Sequence, residues 1–205
     1  SPTRPAGDYP IALAAGPDNN YWIMLIGGTV TILENIDPII HNMPADITLV
    51  ADQGFAHATV SWTEPTASDN VGVTSFTADH DPGETFPVGT STVTYTVSDA
   101  AGNQATASFS ITVNKNDPVL TWNTPANISY GTTLEAMQLN ASSTAAGTFS
   151  YDPPTGTHLN AGLTQTLSVS FIPDDPAAYT SASASTTIDV DKALLTVSAD
   201  NKSIK

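Results

Sequence analysis

The chain has 205 residues, no cysteine, and 20 acidic against 5 basic side chains, for a net charge of −15. That balance argues against nucleic acid as a partner, because phosphate binding needs Lys and Arg. It equally disfavours an anionic membrane surface, and the lack of Cys removes disulfides and thiolate chemistry. Charged residues reach only 12%, about half the usual share, so Ser and Thr supply the polar surface. No apolar run is long enough to cross a bilayer.

In chain order, residues 1–35 hold three expected strands, Tyr9–Ala15, Tyr21–Leu25 and Thr29–Leu33, with Gly27-Gly28 as a hairpin turn between the last two. Period-two alternation then runs nearly throughout. Ala58, Val60 and Trp62 alternate with Thr59, Ser61 and Thr63. Val93, Tyr95 and Val97 alternate with Thr92, Thr94, Thr96 and Ser98, and Phe109, Ile111 and Val113 with Ser108, Ser110 and Thr112. Leu167, Val169 and Phe171 repeat the pattern against Thr166, Ser168 and Ser170. Each such strand buries one face and wets the other. Turn signals such as Asp81-Pro82-Gly83 and Ala101-Gly102-Asn103 punctuate the strands.

Asp37-Pro38 and Asp117-Pro118 mark module joints, with a third near Asp191-Lys192, because Pro ends a ladder. The expected organisation is therefore four pieces: 1–35, 36–115, 116–191 and 192–205, the last offering the strand Leu194–Ala199. The expected fold class is all-β: tandem immunoglobulin-like β-sandwiches with partial β-modules at both termini.

Residues 36–115 resemble a hyalin repeat, through Pro44-Ala45-Asp46-Ile47-Thr48, Val60-Ser61-Trp62-Thr63-Glu64-Pro65 and Ser68-Asp69-Asn70-Val71. Phe86-Pro87-Val88-Gly89-Thr90, Val93-Thr94-Tyr95 and Ser98-Asp99-Ala100-Ala101-Gly102-Asn103 complete the match. The resemblance implies an immunoglobulin-like adhesion module without catalysis. Many members carry a cysteine pair; here Met43 and Ser108 stand near those places, which leaves burial to hold the ends.

Residues 1–33 look like the closing half of a mostly-β repeat of large surface proteins of gliding bacteria, through Ala6-Gly7-Asp8-Tyr9, Asn19-Asn20-Tyr21 and Gly28-Thr29-Val30. Residues 192–202 look like its opening half, through Lys192-Ala193-Leu194-Leu195-Thr196-Val197. Residues 116–191 are similar to bacterial immunoglobulin-like repeats, through Tyr130-Gly131-Thr132, Leu159-Asn160-Ala161-Gly162 and Phe171-Ile172-Pro173.

These resemblances split one repeat between the two termini. Three readings stay open. The chain is a window in a longer array, or Leu194, Leu195, Thr196, Val197, Ser198 and Ala199 complete the N-terminal strands of a neighbouring copy, or the N-terminal strands pack on the hyalin-like module. The partners implied are neighbouring copies or modules of the same protein, with surface glycans as a further candidate.

Little in the sequence points to chemistry. His41, His57, His80 and His158 are scattered, and Asp79-His80-Asp81 sits in a turn where Asp bonds backbone. No Gly-x-Ser-x-Gly elbow is present. No catalytic or metal residue is assigned and no cofactor is expected. Calcium is the one ion worth weighing, through Asp189, Asp191, Glu34, Asp37, Asn116 and Asp117 at the joints, against the plainer reading of solvated turn acids. Trp22, Trp62 and Trp122 could stack on sugars; Trp62 shares phase with Val60 and reads as core. Asn127, Asn140 and Asn201 open glycosylation triplets of the kind a Ser/Thr-rich chain produces by chance. The expected function is a structural or adhesive segment at the cell surface: stalk, adhesin or filament subunit. A carbohydrate-binding accessory region of a secreted enzyme is the alternative.

Overall fold

The computed structural model describes residues 21–26 and 29–198, with side chains from residue 35 onward. The expected strand Tyr9–Ala15 and the Gly27-Gly28 turn lie outside those residues. All regular structure among the described residues is strand. In chain order the strands are β1 (Tyr21–Ile26), β2 (Thr29–Glu34), β3 (Ile39–His41), β4 (Ile47–Val50), β5 (His57–Thr59), β6 (Thr66–Ser68), β7 (Val73–Ala78) and β8 (Thr85–Pro87). They continue as β9 (Gly89–Asp99), β10 (Gln104–Asn114), β11 (Leu120–Thr121), β12 (Ile128–Ser129), β13 (Ser142–Ser143), β14 (Gly147–Asp152), β15 (Gly162–Pro173) and β16 (Ala182–Asp191).

The described residues fall into two compact units, one of 21–45, 62–82 and 92–110, the other of 46–61, 83–91 and 111–198. In the first unit, β1 and β2 pair antiparallel from Tyr21↔Glu34 to Ile26↔Thr29. β3 pairs antiparallel with β6, from Ile39↔Ser68 to His41↔Thr66. β7 pairs with β9, with a register shift between Val73 and Ser75. Val93, Tyr95 and Val97 on β9 are buried, as the alternation requires.

Trp62 lies past the end of β5, which stops at Thr59. Its indole N–H donates to the Tyr95 hydroxyl at 2.8 Å. Its ring meets Phe109 edge-on at 5.3 Å, the geometry that aromatic quadrupoles favour.

The turn that links β9 to β10 is organised by one carboxylate. Asp99, 5% exposed, accepts the backbone N–H groups of Ala101, Gly102 and Asn103 at 2.8–2.9 Å on Oδ1. The Asn103 side-chain amide donates to Oδ2 at 2.7 Å. Gly102 takes φ +96 here, a conformation that glycine adopts without a Cβ penalty. An ionised acceptor with several donors is the strong form of hydrogen bond, so this turn fixes the register of the two longest strands of the module.

In the second unit β5 pairs antiparallel with β8. β4 runs parallel to β10, from Ile47↔Ile111 to Val50↔Asn114. β9 and β10 pass through both units and give one sheet of order β4-β10-β9-β7. Residues 116–191 repeat this plan. β11 pairs antiparallel with β13, and β12 pairs parallel with β16, Ile128↔Val190 and Ser129↔Asp191. The resulting sheet has order β12-β16-β15-β14.

Ile128, Leu134, Leu139, Leu159, Leu167, Ile188 and Val190 form the core of this second module, with Trp122 and Tyr151 packed against it. Burying such a side chain stabilises by about 1.5–3 kcal/mol each. Two aromatic tips also tie down the irregular stretch between β12 and β13. Trp122 donates its indole N–H to the Gln138 carbonyl at 3.0 Å, and the Tyr151 hydroxyl accepts from Ala141 N at 2.9 Å. No buried side-chain N or O among the described residues is left without a partner, which is what a low-dielectric interior demands.

Met43 is half-buried and Ser108 exposed. The module is held by the β9 and β10 faces rather than by those two positions.

Two expected outcomes follow. A methyl group on Gly147 would stand 2.5 Å from Phe171 Cζ and collide with the Ile172 carbonyl. Gly147→Ala should therefore cost about 1–3 kcal/mol, whereas Gly162→Ala, whose nearest neighbour is a Gln165 side-chain atom at 3.7 Å, should leave the urea midpoint almost unchanged. Asp99→Ala should cost about 2–3 kcal/mol and Asp99→Asn less, because the amide keeps one acceptor oxygen; equal losses in urea titrations would refute that account of the turn.

Candidate functional site

The residues expected to carry inter-chain strand pairing sit at the end of the described chain. Leu194, Leu195, Thr196, Val197 and Ser198 form no strand and are exposed; Ala199 lies outside the described residues. Among the described residues no strand pairs with residues 194–198, and a strand needs a ladder partner. Leu194, Leu195 and Val197 are 93, 84 and 83% exposed. Tyr130, Ala161 and Lys192–Leu195 line an apolar cleft of about 460 Å³ beside it. Tyr130 and Ala161 belonged to a sequence motif but carried no site expectation; period-two patterning says nothing about loops.

The joint at 114–118 is held by several hydrogen bonds within the second unit. Asn114 O accepts from Ala51 N at 2.8 Å. Lys115 Nζ donates to the Pro176 carbonyl at 2.6 Å. Asn116 donates its backbone N–H to Ala178 O at 2.8 Å and accepts from Thr180 N at 2.9 Å. Its side-chain amide reaches back to Asp52 O at 3.2 Å. The Thr180 hydroxyl donates to Asp117 Oδ1 at 2.5 Å. Besides Pro118, hydrogen bonds reach from this joint forward into 176–180 and back to 51–52. The signal available in sequence was the polar run Asn114-Lys115-Asn116-Asp117, whose partners are up to 64 residues away.

Of the joint acids weighed for calcium, Asp189 and Asp117 each accept a donor from a distant segment. Asp189 Oδ1 accepts from Thr164 N at 2.7 Å. Thr164 has φ +52 beside the register shift between Gly162 and Gln165, an uncommon conformation for a β-branched residue. Asp189 thus steadies a strained bulge. Asp37 and Asp191 are exposed, and the Glu34 side chain lies outside the description. Among the described residues no group of three or more His and acidic side chains could hold a metal ion.

Two other acids close turns. Asp69 Oδ2 accepts from Val71 N and Gly72 N. Asp175 Oδ1 accepts from Ala177 N and Ala178 N. Asp79 differs from its expected local role: it accepts from Thr94 N on β9, 15 residues on, at 2.8 Å. The indole N–H groups of Trp62 and Trp122 are both bonded internally; the Trp22 side chain lies outside the description.

Residues 36–113 match the family model described as the HYR domain. Hyalin of Strongylocentrotus purpuratus is 35% identical over 135 residues, which is 63% of this chain and 11% of that protein. Hyalin of Lytechinus variegatus is 39% identical over 97 residues, 45% of this chain and 18% of its own length. The chain thus spans less than a fifth of either relative. A solved structure of Drosophila N-cadherin EC1-3 aligns over 77% of this chain and 68% of that one, at 13% identity and a TM-score of 0.31, too loose a likeness to carry an argument. Residues 36–113 thus resemble a HYR domain, within a chain whose described residues are all-β.

Proposed function

We propose that this chain is a non-catalytic structural and adhesive segment of a larger extracellular protein, a stalk or filament portion made of β-modules in tandem. The observation that carries the reading is the HYR match over residues 36–113. The topology supports it. In each module the first strand ends parallel to the last, β4 with β10 and β12 with β16. Parallel pairing places entry and exit at opposite ends of a module, the arrangement a string of modules needs. The bonded joint at 114–118 resists bending, as a spacer requires.

Head-to-tail assembly by strand complementation belongs to the same reading. Leu194, Leu195, Thr196, Val197, Ser198 and Ala199 are the donor strand. The support is three large apolar side chains left in water and a two-stranded β1–β2 sheet. Such a ribbon is marginal alone, and no other described strand pairs with its edges. The flanking motifs at 1–33 and 192–202 support a large secreted bacterial surface protein as the parent. The HYR module itself is shared with Strongylocentrotus and Lytechinus and carries no information on the host.

Deletion of residues 193–205 should abolish concentration-dependent assembly in sedimentation and the strings seen by electron microscopy; strings that persist after the deletion would refute strand donation while leaving the spacer reading intact. Replacing Lys115 and Asn116 together by Ala should lower stability by about 1–3 kcal/mol and broaden the small-angle X-ray distance distribution. An unchanged distribution would show that the joint bonds do not limit bending.

A further inference from the structure

On the HYR module, a cavity of about 380 Å³ opens between the segment after Trp62 and the β7–β9 ladder, lined by Glu64, Pro65, Phe76, Thr77, Asp81 and Tyr95, with Ala78. Its wall is aromatic. Phe76 stacks on Tyr95 with centroids 5.4 Å apart and planes at 29°. Tyr95 is 3% exposed and is locked by the Trp62 indole N–H on its hydroxyl, so this wall is preformed. Both charged groups in the lining are carboxylates, Glu64 and Asp81. Both are exposed, and neither makes a hydrogen bond or ion pair with the described residues. A second, smaller cavity shares Thr77 and Ala78 and continues past Asp79, Thr94 and Thr96, which extends the concave surface along the β7–β9 ladder.

We infer that this cavity is a docking site for a basic side chain, the ammonium or guanidinium of a Lys or Arg presented by a protein partner, held between Glu64 and Asp81 against the Phe76–Tyr95 wall. The two carboxylates make the charged part of the lining wholly negative, and a cation in the cavity is attracted by both. An aromatic wall adds attraction for a cation with an organic stem and shields the stem from water. A bare metal ion fits less well, because no third acid joins the pair among the described residues, and calcium takes six to eight oxygens. The whole chain, at −15, draws basic partners over distance and lets the cavity select among them. The inference concerns what this module adheres to and does not depend on strand donation by the C-terminal segment.

The test uses the full chain with three capped tripeptides, Gly-Lys-Gly, Gly-Arg-Gly and the uncharged Gly-norleucine-Gly, followed by amide NMR shifts. The Lys and Arg peptides should move the Thr77, Ala78 and Tyr95 amides saturably, and the norleucine peptide should not. Glu64→Gln with Asp81→Asn should weaken binding at least fivefold and leave the urea midpoint in place, since both side chains are exposed. Asp174→Asn with Asp191→Asn removes the same charge elsewhere and should change affinity less than twofold. Phe76→Leu, which keeps an apolar residue but loses the ring, should weaken binding about threefold. Equal losses in the two charge-matched variants would reduce the effect to overall charge and overturn the site. So would an equal response to norleucine, the absence of any shift, or a neutral oligosaccharide moving these amides in place of the basic peptides.

Discussion

In both modules the first stretch of chain changes sheets before it has gone far. β3 lies antiparallel to β6, and a few residues later β4 lies parallel to β10. β11 lies antiparallel to β13, and then β12 lies parallel to β16. The parallel contact depends on the last strand having a free edge and on the opening strand having apolar residues in phase with it. Ile111 and Val113, and likewise Ile188 and Val190, supply the buried positions on the last strands. The rest follows from that contact. It seals the end of each core, it sets the direction in which the chain leaves, and it brings the residue after the opening strand against the start of the joint. Ala51 N on Asn114 O and Tyr130 N on Asp191 O are the same bond made twice, each at 2.8 Å.

The core strands were legible because their burial obeys a period of two. Val93, Tyr95, Val97, Phe109, Ile111, Val113, Leu167, Val169 and Phe171 are all buried, as their alternation with Ser and Thr demands. Asp69, Asp99 and Asp175 each close a turn within four residues, a span that local sequence can encode. What the pattern could not carry were bonds between distant residues. The reach of Asn116 to Asp52, of Lys115 to Pro176 and of Asp79 to Thr94 depends on which loops the topology brings together. Nor could alternation show that β5 stops at Thr59. Trp62 has the phase of a strand residue, but its position is set by the indole bond to Tyr95 and the edge contact with Phe109.

That same Trp62–Tyr95 bond links the core to the cavity. Tyr95 faces the core as part of the β9 alternation and also forms part of the wall beside Glu64 and Asp81. An aromatic held at both ends loses little freedom when a ligand arrives, so the cost of ordering the site falls on folding rather than on binding. The free carboxylates stand on irregular backbone, Glu64 after Trp62 and Asp81 in the turn after β7. The module thus combines a bonded aromatic wall with carboxylates that stand on loops.

The two joints show what the C-terminal segment lacks. β10 ends at Asn114 and Lys115 follows; β16 ends at Asp191 and Lys192 follows. At the first joint the residues after Lys115 are consumed in bonds to Ala178, Thr180 and Asp52, and Pro118 is buried. At the second, Lys192, Ala193, Leu194 and Leu195 line an open cleft with Tyr130 and Ala161, and the leucines remain almost fully in water. At about 25 cal/mol per Å² of apolar surface, hiding Leu194, Leu195 and Val197 would yield several kcal/mol, comparable to the ordering cost of the short strand they would form. Burial of those side chains comes within reach only if a ladder partner also satisfies the backbone, because an unpaired buried N–H or C=O costs as much as the side chains gain. A sheet edge meets both needs at once, whereas a flat apolar patch meets one. For that reason the association we propose for this segment is strand addition rather than simple hydrophobic docking.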